Sequence, residues 1–147
     1  MTANVYYDST KLWGIAWLAL AFALALHVAD EALTGFLPVY NSVVESVRAA
    51  YPWIPLPTFT FPVWLGGLAL GVILLFAVSP LVFAGRRWLR AVSYVLAVIM
   101  IANGLGHIGA SLYWARFAPG VYSSPILLLT AIALFRATYL GRIFQPQ

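Results

Sequence analysis

The stretch LALHVADEALTGF, residues 24–36, joins a long apolar segment to three ionisable side chains. Residues 12–26 are all apolar or small. His27, Asp30 and Glu31 follow almost directly. An ionisable side chain inside a bilayer is costly unless it is paired or faces a protected interior. The stretch therefore predicts a membrane-spanning helix whose polar end faces other helices rather than lipid.

The composition points to the same class of protein. Of the 147 residues, 63% are hydrophobic and 8% are charged, whereas soluble domains average about 25% charged residues. This length predicts one membrane domain over residues 1–147. The absence of cysteine excludes disulfides, thiolate metal ligands and thiol nucleophiles. The net charge of +4 is carried mainly by arginines near span ends, so it indicates membrane topology and no nucleic-acid partner.

Four apolar segments approach or exceed the roughly 20 residues that a helix needs to cross a bilayer. The predicted fold is an all-α integral membrane protein, a bundle of four transmembrane helices at about residues 12–33, 61–83, 88–113 and 121–140. Ser9 or Thr10 is expected to cap the first helix. Small residues on the second and third spans are expected to form helix-packing surfaces: Gly66, Gly67, Gly71, Gly104, Gly106 and Gly109.

The positive charges predict the orientation of these spans. One side of the membrane has Lys11, Arg86, Arg87, Arg90 and Arg142, and the other has Arg48 and Arg116. Both termini are therefore predicted to be cytoplasmic, in a protein of the inner membrane.

The connection between the first two spans contains a predicted interfacial segment at about residues 39–57. Its apolar residues recur at helical spacing: Tyr40, Val43, Val44, Val47 and Tyr51. A proline-rich piece with aromatic anchors follows. We expect a short helix on the outer membrane surface that covers the space beneath it.

The polar residues of two spans are predicted to meet. His27, Asp30 and Glu31 share one helical face, and so do Asn103 and His107. Measured from the cytoplasmic ends of their spans, His27 and Asn103 lie roughly 22 Å up. Glu31 and His107 lie roughly 28 Å up. Because the two spans run in the same direction, both polar faces reach the same level in the outer half of the membrane.

These residue types suit a metal site. His27, His107 and either Glu31 or Asp30 would supply three ligands for zinc or iron and leave a position open for water or substrate. The other carboxylate would act as a general base or would hold a ligand in position, and Asn103 would orient the ligands. Three further interpretations remain open. The cluster could perform metal-free acid–base catalysis as an isomerase or cyclase, or move protons as a transporter. It could also lock helices in a non-enzymatic accessory or assembly subunit.

Further residues are expected to border the polar pocket. Trp64 on the second span, Arg116 at the end of the third and Ser124 at the start of the fourth are assigned to it. The preferred function is a small metal-dependent membrane enzyme that acts on a lipid-soluble or amphipathic molecule. Membrane lipid is the expected environment, and a homo-oligomer or a larger membrane complex is compatible with the sequence.

The motifs HVADE, NGLGH and RFAPGV together resemble those of the bacterial HXXEE family of small integral membrane proteins. The resemblance implies four spans and a polar site built from His27, Glu31, Asn103 and His107, and it leaves the activity open. Asp30 stands where the family motif has its first glutamate. The segments FLPVY and FAPGVY also suggest an internal repeat of spans one and two in spans three and four.

Overall fold

The computed structural model describes the backbone of residues 2–143 and the side chains of residues 9–140. Within that part of the chain every regular element is an α-helix, so the all-α fold class is confirmed. In chain order the helices are α1 (Thr2–Thr34), α2 (Phe36–Ala50), α3 (Phe61–Phe83), α4 (Trp88–Tyr113) and α5 (Ser124–Ile143).

Three helices are long and apolar enough to cross a membrane. The segments are Ser9–Thr34 of α1, Phe61–Phe83 and Trp88–Tyr113. The described apolar part of α5, Ser124–Leu140, is shorter. The chain therefore has the helices of a membrane protein, and α5 is a shorter candidate for the fourth predicted span.

The first helix begins earlier than expected. Ser9 and Thr10 lie inside α1 and are buried, so the prediction that one of them caps the helix is wrong. Residues 2–11 contain neither proline nor glycine, and nothing in their sequence stops the helix. At the other end Gly35 adopts φ 76° and separates α1 from α2.

The connection between the first two predicted spans contains one helix, α2, and an extended proline-rich piece after it. The helix begins at Phe36, three residues before the predicted start, and buries Leu37 and Val44. The following chain folds back along it, because Asn41 Nδ2 donates to the carbonyl oxygen of Phe59 at 2.9 Å and Asn41 Oδ1 accepts from the Phe59 N–H at 3.1 Å. This pairing holds the extended segment against α2.

Helices α1 and α5 occupy the middle of the bundle. Helix α1 packs against α3 and α5, and α5 also packs against α4. Their buried core includes Trp13, Trp17 and Leu20 from α1 with Leu127 and Leu134 from α5. Since α3 and α4 do not pack substantially against each other, the arrangement lacks the symmetry that a two-span repeat would give. The two similar segments also differ, one being helical and the other forming turns before α5.

Only one of the six glycines predicted to pack helices together does so. A β-carbon on Gly104 would lie 3.3 Å from both Leu128 Cβ and the carbonyl oxygen of Ser124, so Gly104 allows α4 to approach α5. The other five have no such neighbour within 4 Å: Gly66, Gly67, Gly71, Gly106 and Gly109. Among these six glycines, close helix approach is therefore confined to the crossing of α4 and α5.

Arg90, which the sequence analysis counts among the charges on one side of the membrane, is buried. Its Nη1 donates to the carbonyl oxygen of Thr138 at 3.1 Å, and its guanidinium carbon lies 4.7 Å from the centre of the Trp13 ring. The indole N–H of Trp13 donates to Ser93 Oγ at 3.0 Å. Arg90 thus joins three helices at the end of the bundle opposite α2. The side chain of Arg142, counted on the same side, lies outside the described residues.

Replacing Gly104 with leucine should destabilise the protein more than the same change at Gly109. The first side chain must enter the closed crossing of α4 and α5, at about 1–3 kcal/mol for overpacking, whereas the second enters open space. Both positions are in α4, so the difference in helix propensity cancels. Thermal unfolding in one detergent measures the effect, and equal midpoints for the two variants would contradict the packing described.

Candidate metal centre

Three ionisable side chains are buried together where the C-terminal ends of α1 and α4 meet the start of α5. His27 and Glu31 are four residues apart on α1 and share a face. His107 lies in the C-terminal part of α4, which ends at Tyr113. Their exposed fractions are 1%, 4% and 7%. The structure therefore brings together residues from the two spans whose polar faces were predicted to converge.

The distances within this cluster suit a small cation. Glu31 Oε1 lies 3.1 Å from His107 Nε2 and 3.5 Å from His27 Nε2. One donor atom from each residue lies within 4.8 Å of the other two. A tetrahedral zinc ion with bonds of about 2.0–2.1 Å places its ligand atoms about 3.3 Å apart. Both contacts of Glu31 already have nearly that spacing.

The tautomer of His107 is determined by the backbone. Its Nδ1 lies 2.5 Å from the carbonyl oxygen of Pro119. A carbonyl oxygen only accepts hydrogen bonds, so Nδ1 carries the proton that it donates. In the neutral ring the other nitrogen, Nε2, therefore directs a lone pair at Glu31.

The orientation of His27 is determined by a chain of three side chains. The hydroxyl of Ser123 donates to Asp30 Oδ2 at 2.7 Å, and the Ser123 backbone N–H donates to the same oxygen at 2.9 Å. Because the hydroxyl has one proton, Ser123 Oγ accepts from His27 Nδ1 across 2.8 Å. His27 Nε2 then faces Glu31, and it is buried without a hydrogen-bond partner in the described part of the chain.

These tautomers leave three acceptors facing one another. Two imidazole lone pairs and a carboxylate oxygen repel in buried space unless a positive charge lies between them. A metal ion or a proton held on Glu31 or a ring nitrogen removes that repulsion. The geometry is therefore suited to holding a cation.

Gly120 has no side chain, and this allows the loop between α4 and α5 to pack directly against the cluster. A β-carbon there would lie 2.7 Å from His107 Cε1 and 3.1 Å from Glu31 Cγ, and the residue adopts φ +82°. Its N–H donates to Thr34 Oγ1 at 3.0 Å, and that hydroxyl donates to the carbonyl oxygen of Asp30 at 2.6 Å. Only glycine has both the conformation and the size that this position requires.

A cavity of about 260 Å³ adjoins His107 between α2, α4 and the loop before α5. Apart from Asn103 and His107, the side chains that line it are apolar and include Phe36, Val39 and Trp114. The ring centres of Phe36 and His107 are 5.2 Å apart. The cavity thus brings an apolar space to one edge of the cluster.

Two residues predicted to serve the metal site have other contacts. Asp30 lies outside the group of donor atoms and bonds Ser123 instead, because consecutive helical residues point about 100° apart and Glu31 already faces the imidazoles. Asn103 does not orient the ligands. It lines the cavity, and its buried Oδ1 makes no hydrogen bond with the chain as far as the structure describes it.

The three residues predicted to border the pocket lie near it, but none of them lines the cavity. Trp64 is buried with its ring centre 6.2 Å from that of Phe36, behind the cavity wall. Ser124 is buried and donates to a loop carbonyl oxygen at 2.7 Å. Arg116 is exposed, with its guanidinium carbon 5.6 Å from the ring centre of Trp114, which does line the cavity.

The contributions of the loop are the part that sequence reasoning missed. Ser123 and Gly120 are not among the residues that the sequence analysis assigns to the site. The carbonyl oxygen of Pro119 has no sequence signal at all. The pattern PGVYSS does combine a glycine turn with hydroxyl donors, which is the one signal that could have indicated a loop folded onto the site.

Comparison with models of known protein families gives a match. The sequence model of a family described as "Protein of unknown function with HXXEE motif" matches residues 17–135, which is most of the chain. The chain belongs to the HXXEE family. No curated protein and no solved structure gives a significant match.

In this HXXEE protein the motif reads HVADE, and the structure separates the roles of its two acids. The second acid, Glu31, faces both imidazoles. The first, Asp30, supports His27 through Ser123. The shorter side chain at the first position is therefore compatible with the cluster, because its carboxylate is not among the converging atoms.

Gly120→Ala should destabilise the HXXEE protein more than Gly35→Ala. Both residues have positive φ, so both variants incur about 1–2 kcal/mol of backbone strain. Only the β-carbon at Gly120 would collide with His107, while Gly35 has open space around it, and the collision should add about 1–3 kcal/mol. Equilibrium unfolding in mixed micelles measures both losses. Equal losses would show that the loop is not held against His107.

Proposed function

We propose that this HXXEE protein is a small membrane enzyme that binds a divalent metal ion through His27, Glu31 and His107. Its substrate is a lipid-soluble or amphipathic molecule held in the cavity beside His107. The observation that carries the proposal is the direction of both Nε2 atoms toward Glu31 Oε1, at 3.1 and 3.5 Å, in a buried site. The opposite nitrogens are engaged elsewhere, which supports metal binding through Nε2.

The donor set is compatible with zinc or iron. Two histidines and one carboxylate are the protein ligands of several catalytic zinc sites, and the same set with open positions is typical of non-haem iron oxygenases. Three protein ligands leave room for water or a substrate oxygen. A zinc ion would supply an activated water for hydrolysis, and an iron ion would supply oxidation chemistry.

The Asp30–Ser123–His27 chain supports the same proposal. Histidine ligands of metals commonly donate their second ring N–H to an oxygen that is itself held in place. His107 uses the carbonyl oxygen of Pro119 in this way, and His27 uses Ser123. If the cluster only held helices together, His27 and His107 would not both need to direct Nε2 toward Glu31.

Metal-free acid–base catalysis is the second candidate. It is favoured by the distance of 3.1 Å between Glu31 Oε1 and His107 Nε2, which suits a shared proton. In this form Glu31 and His107 would exchange a proton with a substrate in the cavity, as an isomerase or a cyclase requires. Metal content distinguishes the two candidates.

Purified protein should contain about one zinc or iron ion per chain by elemental analysis, and His107→Ala should lose it. Glu31→Gln should lose it as well, because it removes the charge that the ion needs. Ser123→Ala should keep the site but weaken metal affinity by roughly 10–100-fold, the usual effect of removing a group that orients a ligand.

Asn103→Ala is the matched control, since it lies on the same face of α4 and lines the same cavity without contacting the cluster. It should retain its metal. A wild-type protein without metal in any preparation, but with activity that requires Glu31, would favour the acid–base candidate. If neither metal nor activity is found and His27→Ala does not fold, the cluster is a helix lock in an accessory subunit.

We also propose that α5 is a fourth membrane span, with both termini in the cytoplasm. Its 20 residues extend about 30 Å, the thickness of the hydrocarbon core. It packs between α1 and α4, so it shares their environment. The excess of lysine and arginine at the end of the bundle opposite α2 supports the orientation.

Single cysteines should test this topology without background, because the chain has none of its own. In intact cells a membrane-impermeant maleimide should label Arg116→Cys and should not label Arg142→Cys until the membrane is opened. The parent protein without cysteine is the control. Labelling of both variants from outside would mean that α5 does not cross the membrane.

A further inference from the structure

We propose that the cavity beside His107 recognises a substrate that carries a hydroxyl group, and that Asn103 determines this specificity by hydrogen bonding to it. This inference rests on the proposed function and names its substrate class, a lipophilic alcohol.

One face of α4 forms the long wall of the cavity. The wall forms a single stripe, because each of its members lies three or four residues from another: Asn103, Gly106, His107, Ala110 and Trp114. The small residues Gly106 and Ala110 keep the space open, and Gly106 has no neighbour within 4 Å of where a β-carbon would be. A ligand lying along this stripe contacts both the Asn103 amide and the edge of His107.

Asn103 is the polar residue of this wall that has no protein partner in the described chain. Its Oδ1 is buried without a hydrogen bond, although a buried acceptor left unpaired is costly. Rotation about χ2, a broad torsion in asparagine, turns this oxygen toward the cavity that the residue lines. An amide both donates and accepts, and a hydroxyl group does the same. A hydrocarbon satisfies neither atom, and a carboxylate cannot donate to Oδ1. The cavity is therefore complementary to an apolar body that carries an alcohol.

The position of Asn103 also places this hydroxyl near the cluster. Residues four apart on a helix have β-carbons about 5–6 Å apart, so a group bonded to Asn103 lies within about one turn of His107. The recognised oxygen, or the carbon that bears it, is then the part of the substrate next to the proposed metal.

The test uses chelator-treated full-length protein in nanodiscs and two photoreactive probes. One is a medium-chain primary alcohol with a diazirine on its chain, and the other is its methyl ether. Mass spectrometry of the cross-linked peptides should find the alcohol on cavity walls such as Val39 and Trp114. The ether should label them roughly fivefold less, the equivalent of one net hydrogen bond.

Asn103→Leu should label equally with both probes, because it retains the volume and removes the amide. Gly106→Leu should lose both labels by filling the cavity, whereas Gly109→Leu, which lies outside the cavity lining, should keep the preference for the alcohol. Equal labelling of the wild type by both probes, or labelling that ignores Gly106→Leu, would overturn the inference.

Because the protein is metal-free in this experiment, its result does not depend on the metal analysis. A preference for the alcohol in a protein that never binds metal would refute the metal-dependent function and retain the substrate class. A protein that binds metal but does not prefer the alcohol would refute the substrate class and retain the metal-dependent function.

Discussion

The contact of one carboxylate oxygen with two imidazoles is the constraint on which the rest of the structure depends. Glu31 is nearly fully buried, and Oε1 lies within 3.5 Å of a ring nitrogen of both His27 and His107. A buried carboxylate needs compensating positive charge or donors. The two imidazoles reach Glu31 only if α1 and α4 stay aligned, so the relative height of these two helices is tied to the geometry of the cluster.

The loop before α5 is what makes this contact specific. Pro119 fixes one ring through its carbonyl oxygen, Ser123 fixes the other, and Gly120 fills the space between them. The histidines supply the reactive nitrogens, but the loop decides which nitrogen points inward. In an HXXEE protein the named motif is thus half of the arrangement, and the other half lies about 90 residues further along the chain.

The sequence predicted those features that depend on one helix at a time. The bounds of α3 and α4 follow from apolar length, and the meeting of His27 and Glu31 with His107 follows from helical spacing and depth. The contacts of Asp30 and Asn103 could not be predicted in this way. Each depends on the loop or on α2, whose placement comes from tertiary contacts.

The same limit explains the errors about packing. A glycine in an apolar helix offers a smooth surface, but only a neighbouring helix decides whether it is used, as at Gly104. Arg90 is the opposite case, a residue that is buried although its sequence position suggests exposure. A charge near a helix end is usually exposed, but here contacts with Trp13 and Thr138 bury it.

The place of α5 between α1 and α4 has a consequence for biosynthesis. Helix α5 is made after α1 and α4 and yet packs between them, and the loop before it carries Gly120 and Ser123. Until that loop has been made, His27 lacks its contact with Ser123, and Glu31 lacks its contact with Gly120. A nascent chain truncated before that loop would therefore leave a buried histidine and a buried carboxylate without the groups that hold them in place.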